Sequence, residues 1–96
     1  MTEQHASEIL KVRIRGRVQG VGFRFWTRDE AQSLGISGWV RNEPDGSVTA
    51  LLAGDPATVR AMLERLHQGP PGSRVVDVVV EEAELEEFGG SFEIVR

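Results

Sequence analysis

Three glycines stand within seven residues where the chain changes from a strand-like to a helix-like pattern. The stretch from Gly16 to Arg24 reads G-R-V-Q-G-V-G-F-R. Before it, Ile9–Val18 alternates apolar and polar or basic residues, as a half-buried strand does. After it, apolar residues recur at helical spacing from Phe23 to Leu34. The chain must therefore pass from a strand into a helix through a turn with little side-chain bulk, which restricts the choice of fold.

The rest of the chain predicts four further strands and a second helix. The turn Glu43-Pro44-Asp45-Gly46 joins two of the strands into a hairpin. Asp55 followed by Pro56 is a typical helix start, and Gly69 is a typical end. The strands are expected over residues 36–42, 47–53, 75–80 and 91–95, with an acidic connection over 81–90.

This β-α-β-β-α-β order, with a short C-terminal strand added, predicts an α+β domain of the ferredoxin-like split β-α-β type. Right-handed crossovers place both helices on one face of an antiparallel sheet, with the third strand between the first two. The first two strands then run parallel, so Asn42 should lie near the glycine loop. The length fits a single domain over 9–96 after a flexible tail over 1–8.

Composition excludes several classes of partner and chemistry. The chain has no cysteine, so it forms no disulfide and holds no zinc-thiolate site. No apolar run is long enough to cross a membrane, and the polar start is no signal peptide, which predicts a cytoplasmic protein without a membrane partner. The net charge is −4. That acidity argues against a long nucleic acid as ligand, and a monomer is the simpler expectation.

The glycine loop itself predicts an anion site. Backbone N–H groups freed of side chains form a concavity, and the positive end of the next helix adds to it. Arg24 stands in the first helical turn, where the dipole opposes a cation by about 0.3–1 kcal/mol, a conflict that a bound phosphate removes. The loop is not a nucleotide motif, because a Walker loop needs Lys-Ser/Thr after its last glycine. A dinucleotide fingerprint needs glycine where Phe25 stands.

The residue types at this site limit the reaction. Arg24 can hold two phosphate oxygens with its planar fork, and Asn42 can hold a water but is no general base. No nucleophile, metal-ligand cluster or acid–base pair joins them. A mixed carboxylic-phosphoric anhydride expels a carboxylate, which needs no proton at neutral pH. Positioning a water and neutralising the phosphoryl oxygens then suffice.

The run from Gly16 to Arg24, the run L-G-I-S-G-W-V-R-N ending at Asn42, and Asp45-Gly-Ser-Val48 closely resemble the acylphosphatase family. The resemblance covers about residues 9–94. It implies a ferredoxin-like fold and hydrolysis of acyl phosphates to a carboxylate and inorganic phosphate, with no metal or cofactor. By the same resemblance, Arg24 binds phosphate and Asn42 orients the attacking water. The backbone phosphate cradle comprises Gln19, Gly20, Val21, Gly22 and Phe23.

Two alternatives stay open on sequence alone. One is a domain that binds phosphate or carbamoyl phosphate within a larger protein, as in hydrogenase maturation. The other is a non-catalytic ferredoxin-like module that binds phosphate. An RNA-binding version needs aromatic residues on its central strands, and those strands have none. Trp26 is expected to pack against the sheet rather than line the site.

Overall fold

The structure is a computed structural model that describes residues 7–83 and 90–96. Residues 1–6 of the predicted tail and 84–89 of the predicted acidic connection lie outside the described residues. The elements are β1 (Glu8–Arg17), α1 (Phe23–Ser33), β2 (Ser37–Asn42), β3 (Val48–Gly54), α2 (Pro56–Gln68), β4 (Arg74–Glu82) and β5 (Phe92–Ile94).

The predicted elements are confirmed, with their ends displaced by one or two residues. β1 begins at Glu8, which the sequence placed in the tail, because Glu8 pairs with Gly54. β4 continues through Glu81 and Glu82, which the sequence placed in the acidic connection. Both residues pair with β1, so hydrogen bonding to a neighbouring strand outweighs the low strand propensity of glutamate.

The sheet has the strand order β4-β1-β3-β2-β5. β3 is antiparallel to both β1 and β2, and β4 is antiparallel to β1, as predicted. β5 pairs with β2 in parallel, so the sheet is mixed rather than wholly antiparallel. The reason is directional: β4 runs opposite to β1 and β2, and the chain reverses once more before β5.

Both helices cover the same face of this sheet. Each buries three residues at helical spacing, Phe23, Thr27 and Ala31 in α1 and Val59, Met62 and Leu66 in α2. α1 packs against β2 and β5, and α2 packs against β4, β3 and β1. The β3 residues from Val48 to Ala53 are all buried. Among the described residues, neither helix is long and apolar enough to span a bilayer.

The opposite face of the sheet is closed over Leu51 by polar and aromatic side chains. Leu51 pairs with Lys11 on one side and Trp39 on the other. The Lys11 ammonium lies 6.0 Å from the Trp39 ring centroid, and the Arg41 guanidinium lies 4.7 Å from it. Leu51 is completely buried beneath these stems and the indole, although no helix in the described part of the chain covers this face.

A carboxylate closes the turn between β2 and β3. Asp45 Oδ1 accepts the Ser47 backbone N–H at 2.9 Å and the Ser47 hydroxyl at 2.6 Å. The Ser47 hydroxyl, then its N–H, hold the pKa of Asp45 below its ordinary value of 3.8, and Arg13 and Arg15 add to this. A carboxylate whose pKa is lower in the folded than in the unfolded state stabilises the fold at pH values above its unfolded-state pKa. That contribution is lost as the pH falls through the folded-state pKa.

Gly38 predicts a backbone-specific stability effect. Its φ is +138°, and a Cβ there would collide with the Leu51 carbonyl of β3. Gly38→Ala is therefore expected to lower the free energy of unfolding by at least about 2 kcal/mol. Gly54→Ala is the control, because a Cβ at Gly54 meets only ordinary contacts at 3.8 Å. Urea unfolding compares them, and equal losses would contradict the collision.

The Asp45 turn predicts a pH dependence of stability. Asp45→Asn is expected to be less stable than the native chain at pH 7, where the native carboxylate is charged. The difference should shrink as the pH falls from 3.8 through the lower pKa of the folded state, because the native carboxyl becomes protonated there and loses its advantage. Urea unfolding of both proteins at several pH values tests this. A difference that stays constant across that range would show that the charge of Asp45 is not involved.

Candidate active site

The carboxyl ends of β1 and β2 meet at one edge of the sheet, because both strands are antiparallel to β3. A pocket of about 210 Å³ lies there. Its lining comprises Val18, Gln19, Gly20, Gly22, Phe23, Arg24, Phe25 and Asn42. The prediction that Asn42 lies beside the glycine loop is therefore confirmed.

The loop reaches α1 through two glycines in the left-handed region. Gly20 has φ of 76° and Gly22 has φ of 77°. A Cβ at either would meet no atom within 4 Å, so backbone conformation and not crowding requires glycine. Gly22 is the N-cap of α1 and supplies no side-chain cap, and the first turn has no acidic residue. The positive end of the helix therefore opens on the pocket without a negative group from its own first turn.

The first backbone N–H groups of α1 are available as donors. Trp26 N–H bonds to the Gly22 carbonyl at 3.0 Å, which begins the helical pattern. Within residues 7–83 and 90–96, the N–H groups of Phe23, Arg24 and Phe25 bond to no backbone carbonyl. Such a set of free donors beside a helix dipole is a ready site for an anion.

Arg24 is half-buried at the pocket and has no ion pair within the described part of the chain. Within the described residues, ion pairs are formed by Arg28, Arg41 and Arg65. The Arg41 Nε lies 2.9 Å from Glu43 Oε2, and Arg65 Nη1 lies 2.7 Å from Glu30 Oε1. Arg24 thus leaves a positive charge uncompensated at the positive end of α1, which favours a negatively charged ligand.

Asn42 ends β2 with its amide at the pocket. Its Oδ1 is buried and accepts no hydrogen bond within the described residues, an arrangement that costs about 1–3 kcal/mol. An acceptor in this position can hold a water or a protonated group of a ligand.

No carboxylate or imidazole lines the pocket among the described residues. The nearest acid in sequence, Glu43, is engaged elsewhere: the Thr49 hydroxyl and then the hydrogen bond from Arg41 lower the pKa of its carboxyl. Across residues 7–83 and 90–96, no three His, Asp or Glu side chains are grouped to hold a metal ion. The pocket offers N–H donors, a guanidinium and an amide.

The structure adds one residue to those predicted at the site. The side chain of Val21 packs against the core, whereas the predicted cradle concerns its backbone N–H. Phe25 lines the pocket and is 54% exposed. Phe25 does not lie on the helix face formed by the buried residues of α1, and this position is the feature of the sequence that could have identified it as a pocket residue. Trp26 packs on the core, with its ring centroid 5.5 Å from that of Phe23, as the sequence led us to expect.

The Gln19 side chain has a contact that the sequence did not indicate. Its Nε2 donates to the Glu43 and Ser47 carbonyls, each at 2.8 Å. The loop is thus tied to the turn that follows Asn42. The family resemblance implies a role only for the backbone of Gln19, and nothing in the spacing of the motif identifies these two acceptors.

Comparison with known proteins agrees with this geometry. The acylphosphatase family model matches residues 10–94. An acylphosphatase from Rhizobium etli is 58% identical over 88 residues, which cover 92% of this chain and 94% of that protein. The crystal structure of acylphosphatase from Bacillus subtilis has a TM-score of 0.86 at 36% identity, over 92% of this chain and 98% of that one.

A larger protein contains a similar domain. Full-length HypF, in a phosphate- and nucleotide-bound form, matches with a TM-score of 0.85 at 25% identity. The match covers 100% of this chain but 13% of HypF, whereas the Rhizobium and Bacillus proteins are matched along nearly their whole lengths. Because the family match spans most of the chain and the Rhizobium and Bacillus proteins align almost end to end with it, this protein belongs to the acylphosphatase family.

Proposed function

We propose that this protein hydrolyses the carboxyl–phosphate bond of acyl phosphates, giving a carboxylate and inorganic phosphate. The observation that carries the proposal is the convergence of three features on one pocket: the free N-terminus of α1, the uncompensated charge of Arg24 and the buried amide oxygen of Asn42. Membership of the acylphosphatase family supports the same reaction class.

In this proposal the phosphoryl group binds in the cradle between Gln19 and Arg24. Backbone N–H groups donate to its oxygens, and the Arg24 guanidinium takes two of them in a bidentate contact. These donors are fixed before the substrate arrives, so they stabilise the charge of a loose transition state effectively. Phe25 walls the pocket beside Arg24.

Asn42 holds the attacking water in line with the bond that breaks. The water oxygen bonds to phosphorus while the bond from phosphorus to the carboxyl oxygen breaks, and its electron pair leaves with the carboxylate. Both water hydrogens leave with the phosphate as H₂PO₄⁻. The leaving group needs no proton, which suits a pocket whose described lining contains no acid or base.

The reaction is proposed to be metal-independent, because N–H donors and a guanidinium neutralise the phosphoryl charge and repel a divalent cation. The proposed donors contact only the phosphoryl group, so acetyl phosphate, carbamoyl phosphate and 1,3-bisphosphoglycerate are all candidate substrates. A monomer in the cytoplasm, without a nucleic-acid or membrane partner, completes the proposal. The lack of cysteine supports the cytoplasmic location, and the net charge of −4 supports the absence of a nucleic-acid partner.

Arg24→Ala is expected to abolish turnover and phosphate binding together, because it removes the bidentate contact and leaves the fold intact. The loss in kcat/KM should reach at least about 100-fold. The measurement is the loss of benzoyl phosphate by ultraviolet absorbance, with EDTA present. Arg60→Ala, on the exposed side of α2, is the matched control and should behave like the native chain. A folded native chain without turnover would leave a phosphate-binding module as the better account.

Asn42→Ala is expected to separate turnover from phosphate binding. Removing the anchor of the water should lower kcat about 100-fold, since misplacement of a reacting group by about 1 Å has that effect. The inhibition constant of inorganic phosphate should change by less than about threefold, because the N–H cradle and Arg24 are untouched. Steady-state kinetics with phosphate as inhibitor measures both. Near-native turnover in this variant would assign the water to another group.

A further inference from the structure

The side chain of Gln19 crosses from the loop after β1 to the turn after β2. Its amide has two N–H groups, and the bonds to the Glu43 and Ser47 carbonyls, each 2.8 Å long, employ both. The amide nitrogen is therefore fully committed to the turn and is not a donor for a ligand in the pocket.

The same two carbonyls close the turn. The Glu43 N–H donates to the Ser47 carbonyl at 2.8 Å, and the Gly46 N–H donates to the Glu43 carbonyl at 3.1 Å. Each carbonyl therefore accepts two hydrogen bonds, one from inside the turn and one from Gln19. The turn is held at both of its ends by one side chain from the loop.

This contact spans a gap that the sheet leaves open. β3 separates β1 from β2, and it starts at Val48, which pairs with Ile14 and Asn42. Beyond that level the loop and the turn face each other across two strand spacings, about 10 Å. Within the described residues, no other hydrogen bond joins residues 18–25 to residues 41–47.

We infer that Gln19 is a positioning residue that sets the separation between the phosphate cradle and Asn42. The inference rests on the proposed function, in which the cradle holds phosphorus and Asn42 holds the water. Glu43 follows Asn42 directly, so freeing the Glu43 carbonyl allows the end of β2 to shift against the cradle. In-line attack needs the reacting atoms about 3–3.5 Å apart, and a shift of about 1 Å costs about 100-fold.

Gln19→Met tests this role. Methionine has a similar length, carries no charge and donates no hydrogen bond. We expect kcat for benzoyl phosphate to fall about 10- to 100-fold, while the inhibition constant of inorganic phosphate changes less than about threefold. Gln32→Met is the matched control. Gln32 Nε2 also donates to a backbone carbonyl, that of Phe92 at 3.3 Å, but away from the pocket. It should keep native kcat.

Gln19→Lys supplies a second, independent variant. The lysine ammonium can reach and donate to both carbonyls, so it should fold and recover most of the kcat that Gln19→Met loses. Recovery distinguishes positioning from general packing, since lysine does not replace the shape of the amide. If Gln19→Met fails to fold, a folded Gln19→Lys with near-native kcat supports the role, and one with kcat reduced at least tenfold overturns it.

The remaining outcomes separate this role from the proposed function. Native kcat in a folded Gln19→Met overturns the positioning role alone. A proportionate loss of phosphate affinity and kcat overturns it as well, because Gln19 then supports the cradle rather than its distance from Asn42. A native chain that binds inorganic phosphate but does not hydrolyse benzoyl phosphate overturns the proposed function and the positioning role together.

Discussion

The site depends on one central strand. β3 is antiparallel to β1 and to β2, so the strands on its two sides run in the same direction and end at the same edge. The residues of β3 from Val48 to Ala53 are all buried, which fixes this strand between its neighbours. Two loops that are distant in sequence thus meet without either having to extend into solvent. Short connections suffice, and their conformations are determined mainly by glycines and by the Gln19 amide.

The charge at this edge of the sheet depends on which contacts the nearby carboxylates make. Glu43 and Asp45 lie in the turn beside the pocket, and neighbouring donors lower the pKa of both. Glu43 accepts a hydrogen bond from the Arg41 Nε at 2.9 Å, and Asp45 accepts one from the Ser47 hydroxyl at 2.6 Å. Each is thereby held in a structural contact, and neither lines the pocket. The loop side keeps the free N-terminus of α1 and Arg24. An anion therefore meets donors and one cation at the pocket, while the negative charges nearby are directed to the turn.

The sequence predicts most of the fold because its signals are local. Alternation in β1, helical spacing in α1, and Asp55-Pro56 before α2 each determine an element without reference to the rest. The convergence of Asn42 on the loop follows from topology alone. β5 is different. Its parallel pairing with β2 depends on where a three-residue strand finds a free sheet edge, and no pattern within Phe92–Ile94 carries that information.

The site was predictable to the level of backbone and charge, but not to the level of side-chain direction. Arg24 and the glycines are identified by their position at a helix start. The Gln19 amide reaches carbonyls more than twenty residues away, and Val21 turns toward the core while Phe25 faces the pocket. These directions depend on the left-handed bends at Gly20 and Gly22, and small differences in such bends change which side chain points inward.

The direction of β5 has a consequence for how this fold can be joined to other domains. β5 runs parallel to β2, and the Val95 N–H bonds to the Val40 carbonyl at 2.9 Å, so the last residues head for the edge where Asn42 lies. Glu8, where β1 begins, pairs with the far end of β3 instead. A polypeptide fused after Arg96 would leave beside the mouth of the pocket, whereas one fused before Glu8 would join the opposite edge. In a multidomain protein built on this fold, the segment that follows the domain is therefore the one placed to screen or open the site.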